Sequence, residues 1–315
     1  MSKVIEVTVS KEDDDIRIDR WFKRYYPDVS HGSIEKALRK GQIRVNKQKV
    51  KSSHRIKSED TVRVPPLTEY PKDPTEIKQK PKNELCEKYR QMINESVIFK
   101  NDDIIVINKP AGISSQGGIG INVSIDDLLE FLKFDYEHKP KLVHRLDKDT
   151  SGVMVIARKT SQATKLAKEF KDKTVQKTYL AIIVGSPDLQ SGKIDVPIAK
   201  ITKGAGKELM TVDTENGQKA ITNYRVIEKI GKMISLVELK PITGRTHQLR
   251  VHMAYIGHPI LGDGKYGGQA AFIDGLSKKM HLHAWQLILP SHNEPFIASI
   301  NGSMQETFDK LGIVI

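Results

Sequence analysis

Cysteine is almost missing: Cys86 is the only one in 315 residues, which excludes an intramolecular disulfide and fits a reducing compartment. It sits in the charged segment NELCEKYR with no base beside it in sequence, so it is not read as a catalytic thiol. Long apolar runs are missing too. Those around Val153 and Ala181 are strand-length, too short to span a bilayer. The opening residues, MSKVIEVTVSKEDDD, lack the apolar core and small-residue cleavage site of a secretory leader. A soluble, cytoplasmic protein with no membrane partner is expected. Internal repeats and low-complexity tracts are absent. His247, His252, His258, His281 and His283 follow no common zinc spacing, and Gly117, Gly118 and Gly120 are not followed by a helix start carrying a P-loop lysine. Neither a metal nor a nucleotide cofactor is expected.

Acidic residues are scarce in one stretch in particular. Net charge is +12, and between Ile16 and Val64 there are 14 Lys and Arg against 5 Asp and Glu, a local balance of +9. A compact basic module is the footprint of a phosphate backbone, and no helix with a large exposed apolar face accompanies the charge, as a membrane surface would require. Helical spacing of Ile18, Trp21, Phe22 and Tyr25 predicts a first helix with Arg20, Lys23 and Arg24 on its other faces, ended by Pro27. Ser30 is suited to cap a second helix, in which Ile34, Ala37 and Leu38 face inward, Lys36, Arg39 and Lys40 form a cationic edge, and Gly41 is the stop. Gln42 to Asn46 then reads as a strand with Thr61 to Val64 as its companion. RNA contacts are expected from Arg20, Lys23, Arg24, Lys36, Arg39, Lys40, Arg44 and Lys47.

The domain plan is an extension at 1–15, the module at 16–64, a linker and connecting segment at 65–96, and a large domain at 97–315, which the resemblance given below makes the catalytic one. Five of the fourteen prolines lie in residues 65 to 81, predicting a stiff linker, and residues 83 to 96 read as a short helix. Beyond it comes a hairpin, Val97 to Lys100 with Ile104 to Ile107. Ala163, Leu166, Ala167 and Phe170 mark a helix assigned only to the core, and strand signals dominate at 178–184, 222–227 and 234–239. An α+β domain around a mixed, largely antiparallel sheet is expected.

The segment LVHRLDKDTSGVMVIARK, residues 142 to 159, sets Asp147 between Arg145 and Lys148, where a loop meets an apolar strand over 152–157. An aspartate flanked by cations suits a nucleophile or base better than a general acid. On those residues alone, a catalytic carboxylate and a simple ion pair of Asp147 with Arg145 stand equally open.

HRLDKDTSGVMVIARK resembles the signature of the RluA-type pseudouridine synthases, and three more blocks agree in order and spacing: DDIIVINKPAGISSQGG, QKTYLAIIVG and GRTHQLRVHMAYIGHPILGDGKYGG. The basic segment, with its two helices, KGQIRVN and SEDTVRVP, resembles the alpha-L RNA-binding module. Together with the GGxG of SSQGGIG, it is most similar to the RluC branch, whose members modify large-subunit ribosomal RNA. That resemblance implies a cofactor-independent isomerase acting on large-subunit ribosomal RNA or an assembling large subunit. It makes Asp147 the catalytic residue and Arg145 the arginine that fills the place of the flipped base. Tyr179 packs on that base and Leu249 floors its pocket, whereas residue by residue each would pass as core. Arg245 is matched to the arginine pairing with Asp147, and Lys109 is placed in a loop near phosphate. Where family loops often read V-H-P or V-H-G, Ser114, Ser115 and Gln116 stand. Other readings are a noncatalytic RNA-binding assembly factor, an enzyme acting on transfer RNA, and a nucleoside hydrolase. One chain holds both the RNA grip and the site, which fits a monomer.

Overall fold

A computed structural model describes residues 4–27, 29, 31–66, 84–118, 121–203, 207–292 and 294–315. The chain divides into two compact units, Met1–Lys82 and Asn83–Ile315. The proposed cap at Ser30, the linker between 67 and 83, and Gly120 lie outside the described residues.

The first unit contains β1 (Ile5–Thr8), β2 (Ile16–Arg17), α1 (Ile18–Tyr25), α2 (His31–Arg39), β3 (Arg44–Val45), β4 (Gln48–Lys49), β5 (Arg55–Ile56) and β6 (Thr61–Val64). α1 buries Ile18, Trp21 and Phe22, α2 buries Ile34, Ala37 and Leu38, and these residues meet Val45, Ile56, Val62 and Val64 in one core. Both helices therefore use the faces their spacing predicts. The helix stops before Pro27, and Gly41 takes the left-handed φ of +68° that ends α2. β3 pairs antiparallel with β6, in the sheet order β1-β6-β3-β4.

The second unit opens with α3 (Glu84–Glu95) and the hairpin β7 (Val97–Lys100) and β8 (Ile104–Lys109), followed by α4 (Ile125–Leu128), β9 (Lys141–Leu142), β10 (Ser151–Ala157) and α5 (Thr160–Lys171). Next come β11 (Gln176–Val184), β12 (Ser191–Asp195), β13 (Ile198–Lys203), β14 (Lys207–Val212), β15 (Ile221–Ile230) and β16 (Ile234–Pro241). The chain closes with α6 (Gln248–Tyr255), α7 (Gly264–Gly267), β17 (Leu282–Ile288), β18 (Phe296–Ile297) and α8 (Gly302–Leu311). Ten strands form one sheet, with the path β12-β15-β16-β11-β17-β10-β8-β7, β18 beside β17 and β9 beside β10. Every named pairing in it is antiparallel except β10 with β17, so the sheet is mixed and largely antiparallel.

Alternating residues load both faces. Ile105, Ile107, Met154 and Ile156 pack toward α3 and α4, while Ile104, Val106, Val153 and Val155 pack with Leu166 of α5. Farther along the sheet, Ala181, Ile183, Val237 and Leu239 meet Leu249 and Met253 of α6, and Leu180, Ile182 and Leu236 meet Met304 and Phe308 of α8. Each fully buried aliphatic side chain contributes about 1.5–3 kcal/mol.

The parallel step positions the site. Gly152 is in register with Lys109 on one side and Ala284 on the other, and Ala284 is in register with Tyr179. Tyr179 thus stands two strands, about 10 Å, from the start of β10. β10 and β17 approach so closely that a Cβ on Gly152, which has φ +112°, would lie 2.2 Å from the Ala284 carbonyl oxygen. Only glycine serves at that position.

Candidate active site

Asp147 sits in the loop that delivers the chain from β9 to β10, and that loop is tied down by backbone groups. Ser115 Oγ accepts the Leu146 N–H at 3.0 Å and donates to the Leu146 carbonyl at 2.6 Å. The Gly112 N–H donates to the Lys148 carbonyl at 2.8 Å, and the Thr150 N–H to that of Asp147 at 3.2 Å. Ser115, one of the residues standing in place of the V-H-P pattern, therefore fixes the loop that carries Asp147.

Lys109 corrects an expectation. It is no loop lysine: it ends β8, is fully buried, and its Nζ donates to the carbonyls of Pro110 at 2.8 Å, Ile113 at 2.7 Å and Lys148 at 3.1 Å. Burial pulls its pKa down to about 7, against the opposing charges of Asp149 and Asp147. The ammonium clamps two loops together, and its donors are fully engaged in doing so.

The arginine beside Asp147 is Arg250, not Arg245. Arg250 Nη1 lies 3.8 Å from Asp147 Oδ2, while its Nε and Nη2 form a two-pronged bond with Asp263, both at 2.7 Å. Its guanidinium also lies over the Tyr266 ring, 4.9 Å from the centroid. Burial works against the charge on Arg250, but the bonds to Asp263 and the field of Asp147 outweigh it and raise its pKa. Arg245 instead donates from Nε to the Lys219 carbonyl at 3.2 Å. The physical reason is the helix start. Arg250 lies in the first turn of α6 and faces the cavity, whereas Arg245 precedes that helix in a loop braced by Gln248, whose Oε1 accepts from the Arg245 N–H and from Thr243 Oγ1.

His247, discounted as a metal ligand, reaches the same carboxylate: its Nε2 is 3.8 Å from Asp147 Oδ2. Its Nδ1 lies 2.6 Å from the Tyr266 hydroxyl, which also accepts the Met210 N–H. Burial lowers the His247 pKa more than Asp147 restores it, leaving a neutral ring. Asp263, Tyr266 and His247 all stand in the quoted block 244–268, but no local spacing announces that a turn folds them back onto the start of α6.

Tyr179 and Leu249 face the cavity together with Asp147. Burial first, then the Asp147 charge, pushes the Tyr179 phenol above its ordinary range, so it stays protonated at neutral pH. Leu249 is buried against β11 and β16. Arg145 is exposed at the cavity and makes no side-chain hydrogen bond or ion pair among the described residues, so the simple pair with Asp147 does not form. The cavity holds about 790 Å³. α5, assigned only to the core, also contributes to its wall through Phe170 and Lys171.

In the first unit Arg20, Lys23, Lys36, Arg39, Lys40 and Lys47 are exposed. Arg24 and Arg44 are exposed as well and each also has a protein partner: Arg24 bonds the buried Asp13 at 2.6 Å, and Arg44 donates to the Gly41 carbonyl at 3.0 Å. Among the described residues no three His, Cys, Asp or Glu converge as metal ligands, and no helix is long and apolar enough to cross a membrane.

Residues 103–255 match the family model described as RNA pseudouridylate synthase, and residues 16–62 match that of the S4 domain. The chain is similar to the ribosomal large subunit pseudouridine synthase C of Rickettsia conorii, at 41% identity over 280 residues, covering 87% of this chain and 88% of that protein. The protein of the same name from Vibrio vulnificus is 34% identical over 316 residues, covering 98% and 96%. Among solved structures, the human RNA Pseudouridylate Synthase Domain Containing 4 superposes with a TM-score of 0.61 at 30% identity, covering 73% of this chain and 98% of that one. With one ten-stranded sheet, a cavity around Asp147 and relatives matched over nearly their whole length, the chain belongs to the RNA pseudouridylate synthase family.

Proposed function

We propose that this enzyme isomerises specific uridines of large-subunit ribosomal RNA to pseudouridine with Asp147 as its catalytic carboxylate, while the basic N-terminal module holds the RNA. One observation carries the reading: among the described residues Asp147 is the only carboxylate lining the cavity, with Arg250 beside it and Tyr179 and Leu249 in the same wall.

The reaction breaks the N1–C1′ bond, turns the uracil in place and joins C5 to C1′; the proton leaving C5 is balanced by the one gained at N1. Nothing is oxidised or hydrolysed, so the chemistry calls for no cofactor. Asp147 acts at the sugar, either attacking C1′ or taking the C2′ proton. Arg250 orients its carboxylate, a role transferred here from Arg245, which is left as a cation facing RNA at the cavity. Tyr179 stacks on the extruded base and Leu249 closes the pocket beneath it, while Arg145 occupies the space the base vacates. The ribosomal substrate follows the names of the relatives from Rickettsia and Vibrio. The exposed cations at 20, 23, 36, 39, 40 and 47 supply sequence-independent affinity. One chain carries both parts, and the working form is a monomer.

The test is to incubate purified protein with unmodified large-subunit ribosomal RNA and map pseudouridines by carbodiimide modification and primer extension. New stops are expected with the wild type and none with Asp147→Asn, a loss on the order of 10⁴-fold or more. Substantial turnover by a folded Asn variant removes Asp147 from the mechanism. Stops on preassembled particles or transfer RNA alone move the substrate and leave the chemistry standing.

A further inference from the structure

Lys177 is a cation in the cavity lining that the isomerisation described above does not use. It lies on β11 two residues before Tyr179, across a shift in register between Thr178 and Tyr179, and both residues line the cavity, about 7 Å apart along the chain. It is half-buried, and its ammonium makes no hydrogen bond or ion pair among the described residues. Burial lowers its pKa, with Lys173 adding to the effect, and no carboxylate offsets that cost. Nothing in the free protein explains why a cation is held there.

Its surroundings offer donors. Nζ lies beside Gly244, 3.9 Å from where a Cβ on that glycine would stand. His144 is near enough for Lys177 to depress its pKa further, after burial, to about 3. The His144 ring is therefore neutral. Its Nε2 accepts the Val155 N–H at 2.9 Å, so the proton is on Nδ1, and that N–H has no protein acceptor among the described residues. The ring is fixed by stacking on Phe170, centroids 4.4 Å apart. Lys177 and His144, an ammonium and a neutral N–H donor, thus both belong to the lining of a cavity whose only acidic residue is Asp147.

We propose that Lys177, assisted by the Nδ1–H of His144, forms a subsite for a backbone phosphate flanking the target uridine. Such a phosphate is anionic and rich in acceptors, and it matches a point-charge donor paired with a neutral one. A Lys one strand repeat from Tyr179 stands where a nucleotide stacked on that tyrosine carries its own linkage. The unreturned desolvation of Lys177 is recovered when RNA binds, so the subsite favours correctly seated nucleotides over RNA held only by the N-terminal module. The proposal rests on the pseudouridine synthase reading above.

The experiment uses full-length protein and synthetic stem-loops of large-subunit ribosomal RNA that bind it, each with one loop uridine carrying a neutral methylphosphonate on its 5′ side, on its 3′ side or at neither. Affinity is read by fluorescence anisotropy and product by carbodiimide mapping, for the wild type, Lys177→Gln and Lys177→Arg. One of the two neutral linkages is expected to weaken wild-type binding by about tenfold. The same linkage costs Lys177→Gln less than about twofold more, because that variant has already lost the contact. The slope of log affinity against log salt becomes shallower by about 0.7 in Lys177→Gln and is restored in Lys177→Arg. Equal losses in wild type and Lys177→Gln, or no loss from either linkage in the wild type, overturn the subsite. Product formation scores the other question: binding that follows the expected pattern without any pseudouridine overturns the enzymatic reading and leaves the phosphate subsite in place.

Discussion

The two units use the same side chains in opposite ways. In the N-terminal unit Lys36, Arg39 and Lys40 form an exposed edge along α2 and its end, open to water and to any phosphate backbone. In the catalytic unit Lys109 and Arg250 are buried, and every strong interaction they make is with the protein: three carbonyls for one, Asp263 and Asp147 for the other. Exposed cations cost little to keep and give affinity that salt erodes. Buried cations are expensive to desolvate, and they hold geometry only while each partner is in place. Positive charge alone therefore says little about a lysine's work, whereas its solvation and partners say nearly all of it.

Four measurements bear on that contrast. Arg250→Leu leaves Asp263 buried without its partner and is expected to cost about 3–5 kcal/mol in denaturant unfolding, with turnover lost as well; a cost under about 1 kcal/mol would mean the pair holds nothing. Acid comes next. His144 stays neutral in the folded state down to about 3, while its unfolded reference is 6.5. Between those values the unfolded chain binds the extra proton, so stability present above pH 6.5 is lost as pH falls toward 3, by up to about 1.4 kcal/mol per unit for this one group. His252, His281 and His283 shift in the same direction for the same reason, burial. His144→Gln should flatten the acid limb by one proton in pH-dependent unfolding, and an unchanged slope would place the titration elsewhere. Lys109→Met strands the carbonyls of Pro110 and Ile113, that of Lys148 keeping the Gly112 N–H, and is expected to cost about 1–3 kcal/mol, read as a lower denaturant midpoint. Smallest in stability is the triple variant carrying Lys36→Gln, Arg39→Gln and Lys40→Gln, expected within about 0.5 kcal/mol of wild type. Its effect appears instead in RNA affinity, with the salt slope reduced by about 2 and kcat at saturating RNA unchanged; a fall in kcat would end the division of labour.

Much of this architecture was legible in the residues. Trp21 and Phe22 at helical spacing, the β-branched run of β8 and the turn-rich start of β10 each specify a local conformation that tertiary packing then used. The four blocks around Asp147, Tyr179 and Arg245 located the cavity. What stayed hidden were contacts made across the chain: Ser115 to Leu146, Arg250 to Asp263, and His247 to Tyr266. None has a local signal, because a hydrogen bond between residues brought together by a fold leaves no period in the sequence. Phe170 was hidden differently. Its spacing marks it correctly as an inward residue of α5, yet the inward face of that helix ends at the cavity, where the ring stacks on His144.

Composition and the periods of two and 3.6 residues were enough to specify the elements, their apolar faces and the basic character of residues 16–64, and the family resemblance pointed to the block that holds the partner of Asp147. Packing alone settled which of two arginines five residues apart reaches the carboxylate, and whether a lysine after an apolar run faces solvent or the core. The first turns on where α6 begins, after a left-handed His247 with φ 54°, and the second on loops that close over Lys109 from positions as distant as Lys148. Both are outcomes of contact between segments remote in sequence, where the cost of desolvating a charge is set by whichever partners the fold supplies.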